Sequence, residues 1–164
     1  MKCFYCDFAA YSGQNKLADR YLAALEAEAA LHPTVNPETL YVGGGTPSEL
    51  TAPQISDLFT RLRRAYPGSR FAESTFEGNP ESLDEEKLAV LAREGVTRLS
   101  IGLQTADDAL LPAIGRRHTA AEFTAMFKAA RRAGIPALSV DLMFGLPGQT
   151  LDSLRATLDY VLAL

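Results

Sequence analysis

Apolar positions along this chain fall alternately into helical stripes and short runs, and that alternation predicts the architecture before any single residue is considered. Over residues 14–31, Leu17, Tyr21, Leu22 and Leu25 recur at helical spacing, and Pro33 supplies the stop. TLYV follows, short and apolar as a strand is. From Thr51, T-A-P-Q reads as a capping box with proline in the first turn, and Ile55, Leu58, Phe59 and Leu62 then form one stripe that ends at YPG. RFAESTFE (70–77) reads as the next strand. Ser82 and Glu85 make a second capping box ahead of Leu88, Leu91 and Ala92, with Gly95 where a helix C-terminus wants it. RLSIGL (98–103) is a strand. Thr119 and Glu122 repeat the capping device ahead of Phe123, Met126, Phe127 and Ala130, and Gly134 stops that helix. ALSVDLMF (137–144) is a fourth strand, and Thr150 opens a helix carrying Leu151, Leu154, Leu158 and Val161.

Strands alternating with helices about every 30 residues call for parallel βα units, wound into an open sheet or a barrel. The fold class is therefore α/β, with no linker and no internal boundary, so residues 1–164 form one domain segment. A strand is expected ahead of the first helix and another after the last; neither is found, and both ends read as cut.

Composition bounds the partners. A chain of 164 residues that is 47% hydrophobic is long enough for one sizeable core. Its 16 basic and 20 acidic residues give a net charge of -4, which leaves no electrostatic footprint for nucleic acid or anionic lipid and points to a small ligand. No apolar run approaches the ~18 residues of a membrane span, and the first residues lack the apolar core of a signal peptide. A cytoplasmic setting is the expectation.

The residues a core does not need gather at the C-terminal ends of the expected strands: Gly43, Gly44, Gly45 and Thr46, then Glu77 and Asn79, then Gln104, then Asp141. In parallel βα folds that edge is the site. A tight turn accounts for GGGTPS equally well, although successive glycines also let backbone N–H groups approach a ligand. Glu77 alone reads as a surface carboxylate and Gln104 as a strand-end cap; their coincidence on one rim argues for function. Asp141 breaks an apolar run and needs a partner, structural or ligand. Arg116, Arg117 and His118 fit a solvated basic turn, and His32 beside Pro33 fits the surface.

Cys3 and Cys6, the only two cysteines, are three residues apart. A redox C-x-x-C would follow a strand, and none precedes it. A zinc site needs four ligands, and His32 and His118 do not stand at ligand spacing. An iron–sulfur site uses thiolates, of which the pair supplies two.

CFYCDF, YVGGGTPS, EGNPESLDEEKL, RLSIGLQTADDALL, GRRHT and VDLMFGLPGQT occur in order over the whole chain. Together they resemble the radical S-adenosylmethionine (SAM) superfamily, and within it the branch of oxygen-independent coproporphyrinogen III oxidase and its heme chaperone relatives. The resemblance implies a partial (βα)6 TIM-like barrel, of which this chain lacks the first and last strands. It implies a C-x-x-x-C-x-x-C loop holding three irons of a [4Fe–4S] cluster, whose fourth iron is chelated by SAM. Cys3 and Cys6 match the second and third cysteines; the first falls two residues upstream of Met1. Tyr5 matches an aromatic nucleoside contact, and Gly44, Gly45 and Thr46 the loop at the amino end of SAM. Glu77, Gln104, Arg116 and Asp141 match the polar SAM contacts. YCDF with GRRH is similar to the chaperone side, since the oxidase usually carries a further cysteine where Asp7 stands; heme or a porphyrinogen is then the cargo or substrate. Decarboxylation of coproporphyrinogen III and a non-catalytic module without the cluster are the alternatives, and the oligomeric state is left open.

Overall fold

The computed structural model describes residues 3–8, 11, 13–32 and 36–164. Pro33, expected to end the first helix, lies outside the described residues. A 3-10 turn, Asn15–Leu17, leads into α1 (Ala18–Ala29); then come β1 (Thr39–Val42), α2 (Ala52–Ala65), β2 (Glu73–Gly78), α3 (Glu85–Arg93), β3 (Arg98–Gln104), α4 (Ala120–Arg132), β4 (Ala137–Leu142) and α5 (Leu151–Leu162). All three strand pairings are parallel, in the order β1-β2-β3-β4. The expected α/β class and its βα alternation are what the chain adopts. Among the described residues no helix is long and apolar enough to cross a membrane.

Capping decides where the helices begin. Thr51 and Gln54 exchange side-chain bonds to each other's backbone N–H, as do Thr119 and Glu122, so two of the expected boxes form and satisfy orphan N–H groups of the first turn. The third does not. Asp84 caps α3, its Oδ1 accepting from Lys87 N at 2.8 Å, while Ser82 Oγ pairs with Ser48 Oγ and with Asn79 O. Asp outranks a serine two residues earlier because its carboxylate also meets the positive end of the helix dipole.

The strands carry two unlike faces. By the two-residue alternation of a strand, Leu40, Val42, Phe76, Leu99, Ile101, Leu103, Leu138, Val140 and Leu142 share one side, and they pack with Ile55 and Phe59 of α2, Leu88 and Leu91 of α3, and Phe123, Phe127 and Ala130 of α4. The other side carries Tyr41, Glu73, Thr75, Glu77, Arg98, Ser100, Gly102, Gln104, Ser139 and Asp141. The strands are therefore not uniformly apolar runs, and Asp141 interrupts nothing: it lies exposed in a polar face among its own kind.

Two helical stripes also differ from expectation. In the first stripe Leu22 of α1 is buried, whereas Leu17 of the preceding 3-10 turn and Tyr21 of α1 are exposed. In α5, Leu151 and Leu158 are exposed and Thr157 is the buried residue, because its Oγ1 accepts from Ala106 N at 3.1 Å and donates to Ser153 O at 3.0 Å. A threonine that closes its hydroxyl locally buries as a small apolar residue does.

Candidate functional site

The polar face and the loops beyond its strand ends bring the candidate residues into two groups. In the first, β1 and β2 pair so that Tyr41 stands opposite Thr75, one alternation before Glu77. Tyr41 Oη donates to Glu77 Oε1 at 2.6 Å, and Gly44 N donates to Glu77 Oε2 at 3.2 Å. Glu77 thus anchors the glycine loop. The bond to Glu77 is the first cause that pushes the Tyr41 phenol up to about 12, with burial and the charges of Glu77 and Asp141 adding to it.

The three glycines are not equivalent. A Cβ on Gly43 would lie 2.6 Å from Tyr41 Cε1 and 2.9 Å from Glu77 Cδ, so a side chain here would have to displace the Tyr41–Glu77 pair. Gly44 has open space around it and a φ of +118°, so its need for glycine is conformational. Thr46 Oγ1 donates to Gly45 O at 2.6 Å. Beyond it Ser48, fully buried in the 3-10 turn Pro47–Glu49, accepts from Asn79 N at 3.2 Å, tying the glycine loop to the end of β2. On β3, Ser100 Oγ donates to Asp141 Oδ1 at 2.8 Å, so Asp141 has a partner within the chain although its exposure does not require one.

The second group surrounds the cysteines. Phe4 N donates to Ile114 O at 3.1 Å and Cys6 N to Cys3 O at 3.2 Å, so the short cysteine turn is seated on the 3-10 turn Pro112–Ile114. Gly115, at φ +78°, keeps that approach open: a Cβ there would lie 3.3 Å from Phe4 N. Both thiols are free and partly exposed. Arg116 reaches Cys3 Sγ through Nη1 at 3.8 Å, Asn79 Oδ1 through Nη1 at 2.8 Å and Gly102 O through Nη2 at 2.7 Å. Burial first, and then the Cys3 thiol beside it, push the Tyr5 phenol up to about 12 against a lowering pull from Arg116.

The basic turn is not solvated. Arg116 is 5% exposed and His118 4%, while Arg117 alone of the three faces solvent. His118 Nδ1 lies 3.2 Å from Glu81 Oε2 and its Nε2 lies 3.3 Å from Leu103 O. Burial raises the Glu81 carboxyl, but the bond from His118, its own backbone N–H and the Arg116 charge outweigh burial, and the net shift is downward. Glu94 behaves alike: burial raises it, and bonds from Ser56 and Arg63 carry it below the ordinary range.

A depressed folded-state value means that both carboxylates contribute stability present above the ordinary value of 4.5 and lost as pH falls through the lower folded values. Denaturant midpoints taken from about pH 6 down to about pH 3 should therefore fall below the ordinary carboxyl range, and Glu81→Gln should flatten part of that slope. An unchanged slope in the variant would show that the bonds to Glu81 do not form.

Gln104, 9% exposed, closes β3 at φ +70° in the left-handed region, at a register shift against β4, with Met143 N donating to its carbonyl at 2.9 Å. A Cβ on Gly102 would lie 2.7 Å from Gln104 Nε2, 3.1 Å from Arg116 Nη2 and 3.1 Å from Asn79 Oδ1, so an absent side chain is what lets these three polar groups converge. Among the described residues no group of three or more His, Cys, Asp and Glu stands together as a set of metal ligands. A cluster and SAM fit better: two free thiols, a glycine-lined rim, and the Arg116 Nε, buried without a partner. Tyr41, Gly102, Glu81 and His118 were not among the residues expected from the sequence. The alternation E-S-T-F-E-G and R-L-S-I-G-L-Q signals the polar face that Tyr41 and Gly102 share, whereas nothing in the sequence brings Glu81 to His118.

The sequence profile described as the radical SAM superfamily matches residues 1–161. The heme chaperone HemW of Bacillus subtilis (strain 168) is 42% identical over 167 residues, covering 99% of this chain and 44% of that protein. The oxygen-independent coproporphyrinogen-III oxidase-like protein HemZ of the same organism is 35% identical over 167 residues, covering 96% and 33%. Among solved structures, coproporphyrinogen III oxidase (HemN) from Escherichia coli, a radical SAM enzyme, superposes with a TM-score of 0.87 at 32% identity, over 98% of this chain and 38% of that one. The chain spans less than half the length of these relatives.

Proposed function

We propose, since this chain belongs to the radical SAM superfamily, that it is a core segment of a heme chaperone-type protein, acting in the cytoplasm on heme or a porphyrinogen. Membership implies a [4Fe–4S] cluster and SAM. In this reading residues 1–164 are one core segment, and Cys3 and Cys6 are two of the cluster thiolates. Tyr5 contacts the nucleoside. Gly44, Gly45 and Thr46 receive the amino end of SAM, and Glu77, Gln104, Arg116 and Asp141 supply its remaining polar contacts. When bound, the cluster supplies one-electron reducing chemistry to SAM. The chain's own residues orient the ligand: Glu77 offers a carboxylate fixed by Tyr41 and Gly44, and Arg116 a fixed positive charge.

The observation that supports this most is the seating of the cysteine turn on Ile114–Arg116. It sets Cys3 beside a guanidinium that also reaches Asn79 and Gly102 at the strand-end rim. The guanidinium thereby ties the thiol that would ligate the cluster to the polar rim that would hold SAM.

The heme chaperone reading is favoured over decarboxylation by Asp7, exposed directly after Cys6 where the oxidase has a further cysteine. The fold likeness to coproporphyrinogen III oxidase keeps the second reading in play. A full-length protein carrying this segment is expected to bind heme, and to leave coproporphyrinogen III unchanged under anaerobic turnover with SAM and a strong reductant. Reaction at a propionate needs the substrate held in register with the reacting group, so positioning decides the outcome as much as the cluster. Chromatography of the tetrapyrroles is the assay. Accumulation of protoporphyrinogen IX overturns the chaperone reading in favour of the oxidase.

A further inference from the structure

We propose that Glu81 and His118 are positioning residues, a bracket of one partly exposed and one buried side chain that fixes the plane of the Arg116 guanidinium against the cysteine turn. The Arg116 side chain is 2% exposed, and its two terminal nitrogens are both engaged. Asn79 Oδ1, Gly102 O and Cys3 Sγ take hydrogen bonds, but none of the first two carries charge. Among the described residues, the carboxylate paired with this guanidinium is Glu81, whose Oε2 lies 3.7 Å from Nη2. A buried guanidinium needs such a counter-charge, and because it is planar and rigid, fixing its two ends also fixes the direction of Nε.

Glu81 could not do this alone. Its side chain is 30% exposed on the wall of a groove between α3 and α4, where a carboxylate is free to turn toward water. His118 removes that freedom: Nδ1 engages the same Oε2 at 3.2 Å, and Nε2 is held at 3.3 Å by Leu103 O. The ring thus sits between Glu81 and the β3 backbone with an acceptor facing each nitrogen, and as a neutral imidazole it donates to one of the two.

The bracket closes on itself. It starts at Gly102 O, passes through Arg116, Glu81 and His118, and returns to Leu103 O, one residue along β3. That is where the register against β4 shifts: Gly102 pairs with Asp141 and Gln104 with Leu142, leaving Leu103 out of the ladder. A residue left over at a bulge keeps backbone groups available for other partners. The irregularity of β3 thus provides the carbonyl that anchors His118. That the fixed guanidinium serves SAM rests on the function proposed above.

The test is nitrogen NMR of arginine side chains in the 164-residue chain, with SAM titration by calorimetry beside it on the same chain reconstituted with a cysteine supplied ahead of Cys3. In the native chain the Arg116 Nη groups should give separate, slowly exchanging resonances. In Glu81→Gln and His118→Ala these should merge into an averaged set while backbone amides of β1–β3 keep their positions, a pattern that general loss of structure would not produce. His118→Gln, which retains a donor toward Glu81, should recover part of the separation. SAM affinity should fall roughly tenfold or more in the two disruptive variants. Should His118→Ala not fold, Glu81→Gln, at a partly exposed position, carries the test. Separate Arg116 resonances persisting in Glu81→Gln would overturn the bracket. A three-cysteine protein that holds its cluster yet takes up no SAM would instead sink the cofactor reading, while the NMR comparison still decides the bracket.

Discussion

Anaerobic reconstitution of this chain with a cysteine supplied ahead of Cys3 at the C-x-x-x-C spacing should give a stable [4Fe–4S] cluster, and the 164-residue chain with its two cysteines should give little or none. Thiolates are the protein ligands of such clusters, and Cys3 and Cys6 are the two present. Among the described residues no cluster of three or more His, Cys, Asp and Glu offers a substitute. Cys3→Ser in the three-cysteine version should then abolish retention, because it removes the thiol that faces Arg116 at 3.8 Å. Iron and sulfide analysis reads all three proteins. A full complement of iron and sulfide in the two-cysteine chain would show that the ligand count is wrong.

Gly102→Val should be the most damaging single change on the polar face. The φ of Gly102 is not in the left-handed region, so the penalty is steric: its Cβ would stand 2.7 Å from Gln104 Nε2 and about as close to Arg116 and Asn79 as a hydrogen bond. Something must move: Gln104 Nε2, the nearest, is the end of a flexible side chain, whereas Arg116 is already committed to Gly102 O and Asn79, and Asn79 to Arg116. Overpacking of this kind costs about 1–3 kcal/mol, a fall in Tm of several degrees in a chain of this size. SAM affinity should drop with it, since the displaced groups are candidate contacts. Gly44→Ala separates the two causes: it meets no atom within 4 Å and carries conformational strain alone, so it should loosen the Glu77 anchor without disturbing Arg116. Thermal melting and calorimetric titration of both variants check the pair. A Gly102→Val protein of native stability would mean that the three polar groups do not converge there.

Helix positions, strand order along the chain and the βα alternation were legible in the sequence because they follow from local periodicity and capping, which act over a few residues. Thr51 with Gln54 and Thr119 with Glu122 are of this kind. Ser82 was misleading since a nearby aspartate competed for the same N–H groups. That Gly44, Glu77, Gln104 and Asp141 stand at or near strand ends was also legible, because it follows from where each short run stops. The polar face was present in the two-residue alternation of β2 and β3, yet it only becomes a surface once four strands pair in register and bring Tyr41, Glu77, Ser100 and Asp141 onto one side.

Tertiary structure alone decided the rest. Arg116 and His118 read as a solvated turn, since two basic residues and a histidine between helices normally face water; their burial goes with partners distant in sequence, Glu81, 35 and 37 residues away, and the Gly102 and Leu103 carbonyls of β3. The seating of Cys3 beside Arg116 spans 113 residues. Such contacts are set by how βα units stack, and no pattern within a single segment encodes them. The sequence by itself determined which elements form and which residues stand at their ends, because those are settled by short-range backbone and side-chain preferences. Which of those ends meet, and which charges are taken out of water when they do, was decided by packing of the apolar face, whose burial drives the strands and helices together and carries the polar groups with them.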